Sequence, residues 1–361
     1  MAADMSLPLR AKPKNKTVSP SILIQALKGQ KCNRIPFWYM RQAGRYLPEY
    51  NEIRKGRTFL DMSTNADIAY EITIQPHRRF QNDGLILFAD ILTPLHACGV
   101  PLYFEEKRGP VLERTISKEE DLHILESFSP AEQCPYIGET LTRLTAYASG
   151  QSERPAVLGF AGAPFTMASY LIEGGTSKKF EKIRSIMFGQ PELFKKLCDR
   201  LVDMTVDYLR YQFKSGAEAV QLFDSWAGIL SAEQYDEFAG RYTEEIIRRL
   251  KAEFDHPIIL FVGGGHHLLP EMVRQNPDVI SLDWRVRIED VEKIPSRIAI
   301  QGNLDPLYLY GGKDRVIRET EAVLNRFASR PGYVFNLGHG IHPASPLENV
   351  EAMIQTIRNY R

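Results

Sequence analysis

Eight short apolar runs, none alternating polar with apolar residues, constrain this chain of 361 residues more than any other feature it has. They are Ile35 to Tyr39, Leu85 to Ala89, Ala156 to Phe160, Ala219 to Phe223, Ile258 to Val262, Val279 to Leu282, Ile298 to Gln301 and Tyr333 to Leu337. Continuous hydrophobicity over the length of a strand marks a strand covered on both faces, as in a parallel sheet. Segments with helical signatures lie between the runs. Eight such strands alternating with helices predict a single-domain α/β fold, a (β/α)8 TIM barrel with its active-site cleft at the carboxyl ends of the strands. An open, doubly wound sheet is the alternative pattern.

The helix signals are local. Ser19-Pro20 can cap and open a helix through Leu27 that Gly29 closes, and Asn65 can cap Ala66 to Phe80. Ser117-x-x-Glu120, Ser231-x-x-Gln234 and Ser345-Pro346-x-Glu348 have capping-box spacing, the last two ahead of amphipathic runs Ala232 to Phe254 and Leu347 to Tyr360. Tyr103 to Leu112, around Gly109-Pro110, reads as a small surface hairpin. Residues 1–18 carry Arg10, Lys12, Lys14 and Lys16 without an apolar centre and read as a disordered basic arm, or as a trimmed targeting remnant. The barrel domain is then expected over 19–361.

Composition excludes several function classes. The 45 basic and 45 acidic side chains cancel, so no global field draws the chain to nucleic acid or to an anionic membrane. No apolar run approaches the roughly 20 residues of a membrane-spanning helix. Cys32, Cys98, Cys134 and Cys198 fit no zinc or redox spacing and read as reduced thiols of a cytoplasmic protein.

Ionisable or small residues follow nearly every run, where a barrel places its chemistry. The first run ends in Arg41 and Arg45. Two planar cationic forks at one mouth suit a small molecule with several carboxylates, although both could be solvated loop charges. Gly44 between them allows a tight turn. Asp90 ends the second run, either as an N-cap for a helix over Ile91 to Cys98 or as an anion held in an apolar pocket for a ligand. His339 sits between two glycines, which favours site use. Tyr170 reads by default as a core residue on its helix, Ser225 as a turn cap or a site hydroxyl, and Asp224 as a second site carboxylate or a partner for an arginine. Gly263-Gly264-Gly265-His266-His267 lacks any established phosphate-loop pattern and places no third metal ligand, so no metal is expected.

The blocks Met40-Arg-Gln-Ala-Gly-Arg-Tyr-Leu-Pro-Glu-Tyr50, Leu87-Phe-Ala-Asp-Ile-Leu92, Gly159-Phe-Ala-Gly-Ala-Pro-Phe-Thr166, Glu173-Gly-Gly175, Gln221-Leu-Phe-Asp-Ser225, Gln301-Gly-Asn-Leu-Asp-Pro306 and Asn336-Leu-Gly-His-Gly340 occur in order. Together they resemble the uroporphyrinogen decarboxylase family from about Ser19 to the C-terminus. The resemblance implies a homodimeric barrel that removes carbon dioxide from the four acetate side chains of uroporphyrinogen III, giving coproporphyrinogen III, with no metal or other cofactor. It implies substrate binding by Arg41, Gln42, Ala43, Gly44 and Arg45, by Asp90, and by Tyr170, Ser225 and His339, with catalytic duty on Asp90 and Arg41. Arg54 and Phe223 are further residues it brings to the cleft.

Rival readings need other residues. A corrinoid-dependent methyltransferase on a related barrel needs zinc ligands that include a thiolate, and no cysteine stands at a strand end. A non-catalytic tetrapyrrole-binding protein would be free to lose Asp90 or Arg41, and both are present.

Overall fold

The computed structural model describes residues 20–105, 109–125 and 127–360. The expected basic arm lies outside the described residues. Seven parallel strands form one sheet: β1 (Gly84–Ile86), β4 (Ala156–Gly162), β5 (Ala219–Asp224), β6 (Ile258–Val262), β7 (Val279–Ser281), β8 (Ala299–Gln301) and β9 (Tyr333–Val334), each paired with the next in that order. The chain also makes the expected hairpin, β2 (Leu102–Glu105) against β3 (Gly109–Leu112), antiparallel with Leu102 opposite Leu112.

Alternate strand residues feed two separate cores, because successive side chains in a strand point to opposite faces. Leu158, Ala219, Ile259, Phe261, Val279, Ala299 and Val334 pack inward on one cluster with Trp38 and Met40. Val157, Val220, Leu222, Leu260, Ile280, Ile300 and Phe335 pack outward into the larger one. The sheet is therefore curled, with its concave side filled. The helix Ile22–Leu27 places Leu23, Ile24, Ala26 and Leu27 in the inner cluster. A polar layer threads the same interior. Trp38 Nε1 donates to Gln301 Oε1 (2.8 Å), and Gln301 Nε2 donates to Gln221 Oε1 (3.1 Å) and Ser281 Oγ (3.0 Å), so these buried groups leave water without losing their partners.

Seven of the eight apolar runs carry strands, and the exception is the first. Ile35 to Tyr39 forms only an isolated parallel bridge, Phe37 with Phe335. Its backbone is nevertheless bonded on both sides. Phe335 N–H donates to Pro36 O (2.9 Å), and Asp83 N–H donates to Phe37 O (2.8 Å).

Asn65 caps Ala66–Phe80 as expected, and Ser231 with Gln234 makes a reciprocal capping box. Other expectations shift. Ser21 caps the first helix by accepting from Ile24 N–H, and Ser19 lies outside the described residues. Asp121, not Glu120, accepts from the Ser117 and Lys118 N–H groups, and a 3-10 helix Glu119–Leu125 follows. The last helix, Leu347–Asn359, starts one residue later than a Ser345 cap requires, so that box does not form. The run Ala232 to Phe254 is interrupted by one π turn, Asp236–Gly240, before the helix Arg241–Lys251.

Candidate active site

The loop after the first apolar run is built around Arg41, which has a left-handed backbone (φ 62°). The strained position thus falls on the arginine itself and not on Gly44, a pattern that recurs at functional sites. Ile341 N–H donates to Met40 O (2.9 Å), tying this loop to the segment after β9. Arg41 and Arg45 are exposed, and among the described residues neither makes an ion pair or donates a side-chain hydrogen bond. One short loop thus presents two guanidinium groups without carboxylate partners.

Gln42, by contrast, is turned inward. Its Nε2 donates to Gly84 O (2.8 Å), and its Oε1 accepts from Asn82 Nδ2 (2.6 Å) and Tyr39 N–H (3.4 Å). Its side chain clamps the loop to β1 and is committed to the protein. Ala43 and Gly44 are half-buried beside it. Arg54 ends the helix Pro48–Arg54, and both it and Arg45 act electrostatically on the buried Tyr50 hydroxyl, whose acidity burial weakens.

Asp90 sits in the loop that follows β1, half-buried. Its Oδ1 accepts from Leu92 N–H (2.9 Å), and its own N–H donates to Thr93 Oγ1 (3.2 Å). The expected N-cap over Ile91 to Cys98 does not form: the helix is only Thr93–Ala97 with Leu92 at its N-cap and no side-chain cap, and the Asp90 carboxylate instead closes a local turn onto the Leu92 N–H. No described residue donates to Oδ2. Desolvation raises the carboxyl above its usual range, with the Leu92 N–H and the Arg41 charge pulling it back.

Two further groups meet the same charges. The Tyr170 hydroxyl, on the buried helix Pro164–Glu173, is pushed up to about 12 by desolvation and by the nearby Asp90 charge. The His339 imidazole is pushed down to about 4, chiefly by burial and then by the Arg41 cation. Arg41, Asp90, Tyr170 and His339 thus form one electrostatic cluster. Ser225 follows β5 and is half-buried; its neighbour Trp226 packs on Tyr170 with ring centroids 6.1 Å apart.

An aromatic wall lines the inner side. Phe223 meets Phe160 (5.7 Å) and Phe261 (5.9 Å), Phe261 meets His339 (6.0 Å), and His339 meets Trp284 (6.3 Å). Phe160, Phe261 and Trp284 escaped sequence reasoning. Alternation along β4, β5 and β6 could have found the first two, since Phe160, Phe223 and Phe261 share the inward parity.

Asp224 does not join the cluster. It lies on the outward face of β5, fully buried, where its Oδ1 accepts from Thr166 Oγ1 (2.6 Å) and its Oδ2 has no partner. It is neither a site carboxylate nor an arginine's partner, because one-residue parity sends it away from the cleft. The four cysteines are free, and burial raises the thiols of Cys98, to about 11, and Cys134, to about 12, so neither presents a thiolate at neutral pH. Among the described residues no three His, Cys, Asp or Glu side chains gather as metal ligands, and no helix is long and apolar enough to cross a membrane.

The chain matches a family model described as uroporphyrinogen decarboxylase (URO-D) over residues 19–360. A uroporphyrinogen decarboxylase of Prochlorococcus marinus (strain MIT 9301) is 42% identical over 337 residues, covering 92% of this chain and 96% of its own. Another, from Prochlorococcus marinus (strain MIT 9211), is 40% identical over 342 residues, covering 94% and 96%. Among solved structures, a methyltransferase from Methanosarcina mazei superposes with a TM-score of 0.77 over 94% of this chain and 97% of that one, at 18% identity. That likeness concerns the fold alone.

Proposed function

The chain belongs to the uroporphyrinogen decarboxylase family and is a carboxy-lyase, and from that premise we propose that it converts uroporphyrinogen III to coproporphyrinogen III by removing carbon dioxide from four acetate side chains. The observation that carries the reading is the unpaired Arg41 guanidinium within electrostatic reach of the half-buried Asp90 carboxylate, with the likewise unpaired Arg45 on the same loop.

The chemistry follows from the substrate. Losing carbon dioxide from an acetate leaves an electron pair on the methylene carbon. Protonating the pyrrole ring at the adjacent carbon creates a cation that accepts this pair, and a second proton then completes the methyl group as the ring proton is returned. Each cycle turns one acetate and one proton into a methyl group and carbon dioxide. The ring is its own electron sink, so no cofactor is required by this route. Asp90, with Oδ2 unoccupied by protein donors, receives the pyrrole N–H groups and stabilises the ring cation as it forms, an effect that is usually large in a desolvated site. Arg41 and Arg45 hold peripheral carboxylates, with Arg54 near the cleft, and Arg41 or a water delivers protons. Tyr170, Ser225 and a neutral His339 orient side chains, and Phe223 presents an apolar face to the macrocycle. Gln42, Ala43 and Gly44 serve through the loop's backbone shape.

The same reading extends to architecture. The segment around Phe37, bonded to Phe335 on one side and Asp83 on the other, serves as the eighth stave that closes a single barrel domain over 19–361. The protein works as a cytoplasmic homodimer, without nucleic acid or membrane as partner, in keeping with its balanced charge. Anaerobic incubation with uroporphyrinogen III tests the activity: stepwise mass losses of carbon dioxide are expected, and an unchanged mass contradicts it.

A further inference from the structure

His339 is flanked by two glycines that each admit a different neighbour. A methyl group on Gly340 would lie 2.5 Å from Arg41 Cδ, and one on Gly338 would lie 2.5 Å from the Trp284 backbone nitrogen. Arg41 thus approaches on the Gly340 side, and Trp284 on the Gly338 side, its ring 6.3 Å from the imidazole. Over the Trp284 ring, 3.8 Å from its centroid, lies the guanidinium of Arg285. This residue follows β7, at the strand end where site residues collect, and it has no role in the chemistry above.

The way Arg285 is held differs from an ordinary ion pair. Its Nη1 alone donates to both oxygens of Asp283, at 2.9 and 2.8 Å, whereas a neutralising arginine usually offers two nitrogens in parallel. Asp283 is further satisfied by the N–H groups of Arg285 (2.9 Å) and Gly264 (3.1 Å). No described residue accepts from Arg285 Nε or Nη2. The indole fixes the plane of the fork, and nearly half of the side chain is exposed (46%). Arg285 also borders a cavity of about 810 Å³ that is lined by Leu269, Val273, Arg274, Lys293 and Ile294 and by none of Arg41, Asp90, Tyr170 or His339, so that cavity is separate from the site. The neighbouring cations are differently occupied: Arg287 and Lys293 share Asp290, and Arg274 pairs with Asp236. Arg285, like Arg41, disfavours protonation of His339, so both cations lie within electrostatic reach of one imidazole.

We propose that Arg285 is a further substrate-binding residue that grips a peripheral carboxylate of the tetrapyrrole on the Trp284 side of His339, opposite the side taken by Arg41. The inference rests on the decarboxylase reading. A substrate with carboxylates around its whole rim needs cations on more than one side of the mouth, and Arg41 and Arg45 share a single loop.

The test is anaerobic steady-state kinetics with uroporphyrinogen III for Arg285→Gln, Arg285→Lys and Arg41→Gln, with melting temperatures measured for each. Arg285→Gln is expected to raise KM about tenfold while kcat stays within about twofold, the signature of a contact made equally in ground and transition states. Arg285→Lys should recover part of the KM loss, since it restores charge without the planar fork. An unchanged KM in Arg285→Gln, with Arg41→Gln impaired, overturns the inference and leaves the decarboxylase reading standing. A KM restored by adding Asp283→Asn to Arg285→Gln also overturns it, because the arginine would then serve only to neutralise Asp283. Wild-type protein that releases no carbon dioxide overturns the decarboxylase reading, and this inference with it.

Discussion

The side chain of Arg41 lies along the bare backbone of Gly340, so close that a methyl group there would come within 2.5 Å of Cδ and 2.9 Å of Cγ. Gly340 therefore sets where the first guanidinium of the mouth can point. Gly340→Ala is expected to leave the fold intact, since the obstructing atoms belong to a side chain that can swing away. It should raise KM for uroporphyrinogen III by about tenfold, on the order of 1.4 kcal/mol of lost binding. Melting temperature and anaerobic kinetics check this. A variant with unchanged KM would mean that Arg41 does not act from this position.

His339 should be neutral wherever the enzyme is active. Burial and the Arg41 cation push its imidazole down to about 4, from an ordinary value near 6.5. NMR titration of the ring should therefore show no protonation between about pH 5 and pH 8, the range in which an unperturbed imidazole titrates. In Arg41→Gln the midpoint should move upward, because a nearby positive charge opposes protonation and removing it eases the step. A wild-type midpoint near 6.5 contradicts the desolvated setting.

The sequence showed the site's ends better than its walls. Asp90 and His339 were legible because a charge or a ring flanked by glycines interrupts an apolar run. Their settings were not legible, since burial beside Arg41 comes from segments far apart in the chain. Asp224 was misread for a simpler reason. Spacing from a strand end places a residue near the mouth, but parity decides which face it takes, and Asp224 shares the outward face with Val220 and Leu222. The first stave was expected as a strand and forms only a bridge at Phe37, because its hydrophobicity reports burial rather than a full ladder. Gln42 was grouped with its arginine neighbours, yet its amide is spent on Gly84, Asn82 and Tyr39.

Asp224 makes a prediction about stability. Desolvation pushes its carboxyl up to about 7, only partly offset by the Thr166 hydroxyl, with Cys198 and Tyr235 close by. The unfolded chain releases this proton near pH 3.9, so the folded state binds it more tightly. Stability contributed by this group is fully present below about pH 4 and is lost as pH rises through about 7, by roughly 4 kcal/mol in total. Asp224→Asn keeps an acceptor for Thr166 and removes the titration. Calorimetry should find the variant several degrees more stable at about pH 8, with the gap closing toward about pH 5. A variant less stable than wild type at the higher pH contradicts this account.

The central claim is that Asp90 stabilises the ring cation while the arginines hold the rim. Anaerobic turnover of uroporphyrinogen III by Asp90→Asn, followed by mass beside coproporphyrinogen binding by the same protein, tests it most directly. Asparagine keeps the size of the group and an acceptor for Leu92 N–H but removes the charge. The account predicts turnover reduced by roughly 100- to 1000-fold, with an unaltered melting temperature and product affinity still largely supplied by Arg41 and Arg45. An Asp90→Asn enzyme that releases carbon dioxide at a near-normal rate would contradict it.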